Sequence, residues 1–179
     1  MDFPNCFTQA HYGITFGGLH VSQSWNDLGI WEEFFNRAGT KSFIELGTFK
    51  GGTTVYFQMQ GLIRGFSVTS IDSTDHGVPI ELLTKLGVKL LTVDLLSEAT
   101  VEPIRELIDS LPKPLALFCD NGNKPVEWNR FFPLLSPGDF ATVHDWGTEF
   151  HESNLIPNPT LFMQAECELT QSMTRFFAI

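Results

Sequence analysis

The chain has 179 residues, of which 42% are hydrophobic, 13% aromatic and 18% charged. That composition supports one substantial core and excludes a disordered chain. A formal net charge of −10 disfavours a phosphate backbone as partner. No apolar stretch reaches the ~18 residues that a membrane span requires, so neither nucleic acid nor membrane is an expected partner.

The N-terminal stretch MDFPNCFTQAHYG has no basic segment leading into an apolar one, so no secretory signal is expected. Cys6, Cys119 and Cys167 are odd in number and form no CxxC pair, which points to free thiols and a cytoplasmic location. Residues 24–39, SWNDLGIWEEFFNRAG, predict a helix. Ser24 and Asp27 have the spacing of a capping box, Trp25, Leu28, Trp31, Phe34 and Phe35 share a face, and Gly39 ends it.

Five apolar runs follow: FIELG (43–47), FSVTSID (66–72), KLLTVD (89–94), LALFCD (115–120) and FATVHDW (140–146). Near-continuous apolar runs indicate strands buried on both faces of a parallel sheet. Between them, residues 97–111 predict a helix capped by Ser97, with Pro103 in its early turns. Pro125 opens another, which turns Trp128, Phe131, Phe132 and Leu135 inward, and SPGD (136–139) makes a turn. The tail from Ala165 reads as two short strands or as a helix and a strand. This alternation predicts an α/β, Rossmann-like three-layer sandwich with a mostly parallel central sheet, and one domain over residues 1–179, with 1–40 as an N-terminal segment and helix and 41–179 as the core.

Ligands of such sheets bind beyond the carboxyl ends of the strands, where the acids of this chain cluster. Gly47, Gly51 and Gly52 follow the first run in a G-x-x-x-G-G pattern, with Glu45 two residues ahead. The pattern lacks the G-x-G-x-x-G of dinucleotide sites, and Glu45 would repel a pyrophosphate. A ligand with a positive centre and hydroxyls, such as S-adenosylmethionine, suits it better. A tight turn with no ligand is the other reading of the glycines. Asp72, ending the second run, is placed to accept ribose hydroxyls; Thr48 and Ser73 flank these positions. Asp94 either meets an adenine amino group or caps a helix.

The fourth and fifth runs end in Asp120, Asn123 and Lys124 and in His144 and Asp145. Two carboxylates on adjacent strand ends can share a hard divalent cation, which would acidify and orient an acceptor hydroxyl. Lys124 or His144 could take the proton if its pKa were depressed. The structural alternatives are that Asp120 caps the helix at Pro125 and that His144 is a core histidine. His11, His20, His76 and His151 show no ligand spacing.

FIELGTFKGG resembles the first motif of class I S-adenosylmethionine-dependent methyltransferases. The similarity extends upstream through GGLHVSQSWNDLGIWEEFFNRAGTK, where Gly18, Gln23, Asp27 and Leu28 match a G-x-x-x-x-Q-x-x-x-D-L pattern of the branch that contains cephalosporin hydroxylase-like proteins and rhamnosyl O-methyltransferases. PLLSPGD (133–139) matches its PL-x-x-x-G. The resemblance spans roughly residues 17–147. It implies cofactor contacts at Glu45, Gly47, Asp72 and Asp94, and a magnesium ion held by Asp120 and Asp145, or a softer ion such as manganese or iron if His144 is also a ligand. His144 stands where the branch has glutamate, and DNGNK departs from its D-x-x-H. The expected activity is methyl transfer to a hydroxyl of a small molecule, a sugar or natural product. A metal-independent methyltransferase and a non-catalytic or hydroxylase-like relative are the alternatives. The 17 Phe and 4 Trp suggest apolar surface to cover, hence a homo-oligomer.

Overall fold

The computed structural model describes residues 14–155 and 159–179. Cys6 and His11 lie outside the described residues. A small antiparallel hairpin, β1 (Ile14–Phe16) and β2 (Leu19–Val21), precedes helix α1 (Trp25–Ala38). Then come β3 (Ser42–Leu46), α2 (Gly52–Arg64), β4 (Ser67–Asp72), α3 (Ile80–Lys85), β5 (Lys89–Thr92), α4 (Val101–Ser110), β6 (Leu115–Cys119), α5 (Lys124–Phe131) and β7 (Phe140–Val143). The chain closes with β8 (Thr160–Phe162), α6 (Gln164–Leu169) and β9 (Arg175–Ala178).

Seven strands form one sheet in the order β5-β4-β3-β6-β7-β9-β8. The first five are parallel, and β9 runs antiparallel to both β7 and β8. The chain builds outward from β3 through β4 to β5, then crosses back to lay β6 and β7 on the other flank. The crevice between the ends of β3 and β6 is therefore the topological switch point, where an open α/β sheet binds its ligands.

Alternation along the strands sorts the core into two layers. Phe43, Val68, Phe118 and Phe176 face α1 and α2, whereas Ile44, Ile71, Leu117 and Phe177 face α4 and α5. Trp31 is fully buried in the first layer, with the rings of Phe34, Phe35, Phe43, Phe57, Phe118 and Phe176 centred 4.8–5.5 Å away. Most aromatics are thus spent in the core. The exposed large apolar side chains are largely aliphatic, among them Leu62 and Ile63 on α2 and Leu169 on α6.

The expected cap of α1 is present: the Asp27 amide donates to the Ser24 hydroxyl, the Asp27 carboxylate accepts from the Ser24 amide, and Gly39 adopts a φ of 62°. The 97–111 segment splits into a 3-10 turn over Glu98–Thr100, capped by Ser97, and then α4, so Pro103 falls in a first turn where no intrahelical N–H is lost. The tail takes the helix-and-strand alternative. Asn123, not Asp120, caps α5 through the Val126 amide, which leaves Asp120 available to the crevice. Among the described residues no helix is long and apolar enough to cross a membrane.

Candidate active site

The glycines that follow β3 are required first by the protein's own backbone. A Cβ on Gly47, whose φ is 108°, would lie 2.5 Å from the Asp120 carbonyl oxygen, and one on Gly52 would lie 2.1 Å from the His20 carbonyl oxygen. Gly47 therefore lets the β3 and β6 loops touch, and Gly52 lets the hairpin seat on the start of α2. Gly51 has a φ of 79° and its amide donates to Thr48 O, which closes the turn.

A cavity of about 620 Å³ opens above this crevice. Gly47, Thr48, Gly51 and Asp72 line one end, Asp120, Lys124, His144 and Asp145 the other, and His20, Ser22, Phe49, Lys50 and His76 contribute to its walls. Asp72 is positioned by β4. Its Oδ2 accepts from the Phe49 amide at 2.9 Å and its Oδ1 from the Ser73 amide at 2.7 Å, with His76 Nε2 at 3.5 Å. Thr48 shares a hydroxyl hydrogen bond of 2.7 Å with Ser70.

Three expected cofactor residues stand elsewhere; one is Ser73, which is exposed outside the cavity lining and donates its amide to Asp72. Glu45 does not line the cavity; it is 1% exposed beneath it, and its Oε2 accepts from Thr54 and Ser70. Burial pushes its pKa up to about 8, against the two hydroxyl donors, with Asp120 and Asp72 adding to the rise. Glu45 is thus a neutral group under the Gly47 turn rather than a carboxylate facing a ligand. Asp94 is exposed, and its Oδ1 accepts from the Leu96 amide. It is a turn residue outside the cavity, because β5 stops at Thr92 and the chain turns away.

At the other end, Asp120, His144 and Asp145 offer ligand atoms that all lie within 4.8 Å of one another. His144 Nδ1 is 3.4 Å from Asp120 Oδ1 and 3.3 Å from Asp145 Oδ1, while its Nε2 faces Asp27 Oδ2 at 3.7 Å. Lys124, almost wholly buried, places Nζ 2.7 Å from Asp145, 3.0 Å from Glu149 and 3.4 Å from Asp120. Burial alone would depress both bases. The surrounding carboxylates win: Asp120, Asp145 and Asp27 raise His144 well above the usual imidazole range, and Asp120, Asp145 and Glu149 raise Lys124. Asp145 opposes its own burial through His144 and Lys124 and is held well below the usual carboxylate range. The depressed base expected at Lys124 or His144 is therefore absent in this arrangement, where both are cations.

Several supporting residues went unread as site residues in the sequence. Gln23 Nε2 donates to Asp120 Oδ2 at 3.2 Å. The Asp27 carboxylate binds Ser24, the Ser172 hydroxyl at 2.6 Å and the Met173 amide at 2.9 Å, joining the start of α1 to the approach of β9 behind His144. Burial raises its pKa, but His144 and these donors more than offset it. Glu127 accepts from the amides of Asn121 and Asn123 and so shapes the loop that presents Asp120; burial pushes its carboxyl up to about 7. Gln23 and Asp27 had a signal, the Q-x-x-x-D spacing, but capping alone accounts for Asp27 in one dimension.

No model of a known protein family matches the chain. Rhamnosyl O-methyltransferases of Mycobacterium tuberculosis and Mycobacterium bovis are 25% identical to it over 153 residues, which is 82% of this chain and 60% of theirs. The chain thus spans about 60% of the length of the curated relatives it matches. The resemblance drawn from the sequence is borne out. Among solved structures, an apo CmcI structure superposes with a TM-score of 0.70 at 17% identity, over 93% of this chain and 76% of that one. A CmcI structure with Mg and SAM gives 0.63 at 18%, over 88% and 63%. These likenesses show the class I methyltransferase fold.

Proposed function

We propose that this chain transfers a methyl group from S-adenosylmethionine to a hydroxyl of a small molecule, a sugar or natural product, with the help of a divalent cation. The observation that carries this reading is the single cavity with Asp72 at one end and the Asp120–His144–Asp145 cluster at the other, bridged by the Gly47–Gly52 turn. The relatives named rhamnosyl O-methyltransferase and the CmcI structure with Mg and SAM support it.

The donor set fits a cation: two carboxylates and an imidazole converge at chelating distance, the imidazole ligating once it gives up the proton that the acids hold on it. Magnesium rarely accepts imidazole, so the His144 position favours manganese if all three ligate. Such an ion would supply Lewis acidity toward the acceptor hydroxyl. The chain's own residues do the rest. Asp72 offers two fixed carboxylate oxygens at the ribose end, with Ser73 and Thr48 beside it. Gln23 and Asp27 hold Asp120 and His144 in place, and Lys124 helps to keep Asp145 ionised. Holding both substrates in line supplies much of the rate.

Titration calorimetry with S-adenosylhomocysteine tests the reading. The expected result is saturable binding by the parent chain, weakened at least about tenfold by loss of two charge-assisted hydrogen bonds in Asp72→Ala. Absence of binding by the parent chain overturns it. A metal-independent methyltransferase is the second reading, favoured by the ammonium of Lys124 between Asp120 and Asp145; transfer that persists undiminished in EDTA selects it. A homo-oligomer also belongs to this reading, and light scattering tests it.

A further inference from the structure

Lys124 lies where a divalent cation would compete with it. Its ammonium contacts two of the three candidate metal ligands, Asp145 at 2.7 Å and Asp120 at 3.4 Å, and it is 3% exposed. It begins α5, capped by Asn123, so its backbone is anchored and the reach of the ammonium is set by rotation about the four-carbon stem. Its third partner, Glu149 at 3.0 Å, has a side chain 53% exposed on the cavity wall. The ammonium therefore has a second anchor that belongs to no ligand set, on the solvent side.

We propose that Lys124 is a tethered competitor for the divalent-cation site, neutralising Asp120 and Asp145 when the ion is absent and retained by Glu149 when the ion is bound. This rests on the reading that Asp120, His144 and Asp145 hold a cation. Two cations held by the same pair of carboxylates repel each other, and that repulsion is strong at about 3–5 Å in a partly buried site. The arrangement sets the affinity for the ion by exchange of one cation for another, rather than by filling an empty cage. It also explains how four acids, Asp27, Asp120, Asp145 and Glu149, coexist around one crevice: His144 and Lys124 interleave with them.

The test is binding of Mn²⁺ alone, read from the electron paramagnetic resonance signal of the free ion, in the full chain and three variants. Lys124→Gln removes the competitor and is expected to tighten Mn²⁺ binding at least about tenfold. Glu149→Gln removes the outer anchor of the ammonium and is expected to weaken binding several-fold. Because Glu149 acts through Lys124, the effect of Glu149→Gln is expected to vanish in the Lys124→Gln background. Unchanged or weaker binding by Lys124→Gln, including no binding at all, overturns the proposal. So does a Glu149→Gln effect of equal size in both backgrounds, which would make Glu149 a plain source of negative charge. Should Lys124→Gln not fold, Lys124→Met takes its place in the same comparison of backgrounds, and unchanged or tighter binding by Glu149→Gln refutes the exchange by itself. Cofactor titration with S-adenosylhomocysteine reports separately on the methyltransferase reading, so the two can fail independently.

Discussion

Glu45→Gln provides a quantitative check of the buried acid beneath the site. In the folded chain the Glu45 pKa stands at about 8 instead of 4.5. Between those values the native state keeps a proton that the unfolded chain has released, so stability falls as pH rises through this window. The limiting slope is about 1.4 kcal/mol per pH unit. From pH 5 to pH 7 the ceiling is therefore about 3 kcal/mol for this one group. Glutamine keeps the carbonyl that accepts from Thr54 and Ser70 and cannot ionise, so its contribution is flat with pH. Glu127, raised to about 7, and His144, raised well above its usual range, bend the curve in the same direction, but they are common to both proteins and cancel in the difference. Urea unfolding in EDTA at pH 5, 6, 7 and 8 reads the effect. The variant is expected to match the parent near pH 5 and to gain on it steadily above. In melting temperature the gain is roughly 3–5 °C per pH unit for a chain of this length. A difference that stays constant from pH 5 to pH 8 would refute the assignment of Glu45 as a neutral residue.

Other substitutions test the scaffold around it. Gly52→Ala puts a Cβ against the His20 carbonyl and is expected to cost at least about 2 kcal/mol in urea unfolding, despite the better helix propensity of alanine. An unchanged midpoint would mean that the hairpin is not seated there. Asp27→Ala strips His144, Ser172 and the Met173 amide of a shared buried acceptor; a loss of about 3–5 kcal/mol is expected, and a loss below about 1 kcal/mol would show that Asp27 merely caps α1. Burial raises Cys119 well above the usual thiol range and Cys167 to about 11. Both are expected to resist alkylation at pH 8 until urea unfolds the chain, which peptide mass spectrometry resolves. Fast native labelling of either would contradict the packing.

How much of this was legible in one dimension depended on the range of the forces involved. The five apolar runs and the α1 cap are local: period, capping chemistry and glycine positions act within a few residues, and the strands β4 to β7 fall inside the runs read from sequence, while β3 begins one residue before its run. The acids at strand ends were readable for the same reason, because a parallel sheet collects its carboxyl ends on one edge. Helix α2, whose first residue Gly52 also packs on His20, carries its signal in tertiary contacts and was not delineated.

What only the tertiary structure decided is which groups meet and in what charge state. Glu45 and Asp94 stand near strand ends as Asp72 and Asp120 do, yet Glu45, still inside β3, is buried beneath the crevice and Asp94 leaves with its turn. Whether a buried base is depressed or raised depends on the carboxylates brought to it from elsewhere in the chain. Asp27 and Asp120 reach His144 across more than a hundred and across twenty-four residues of sequence, and together with the adjacent Asp145 they outweigh its desolvation. The sequence by itself determined the layers of the fold and the edge on which the chemistry lies, because local pattern and strand polarity suffice for both. The pairing of Lys124 and His144 with four acids was decided by packing, because electrostatic energy follows distance through space.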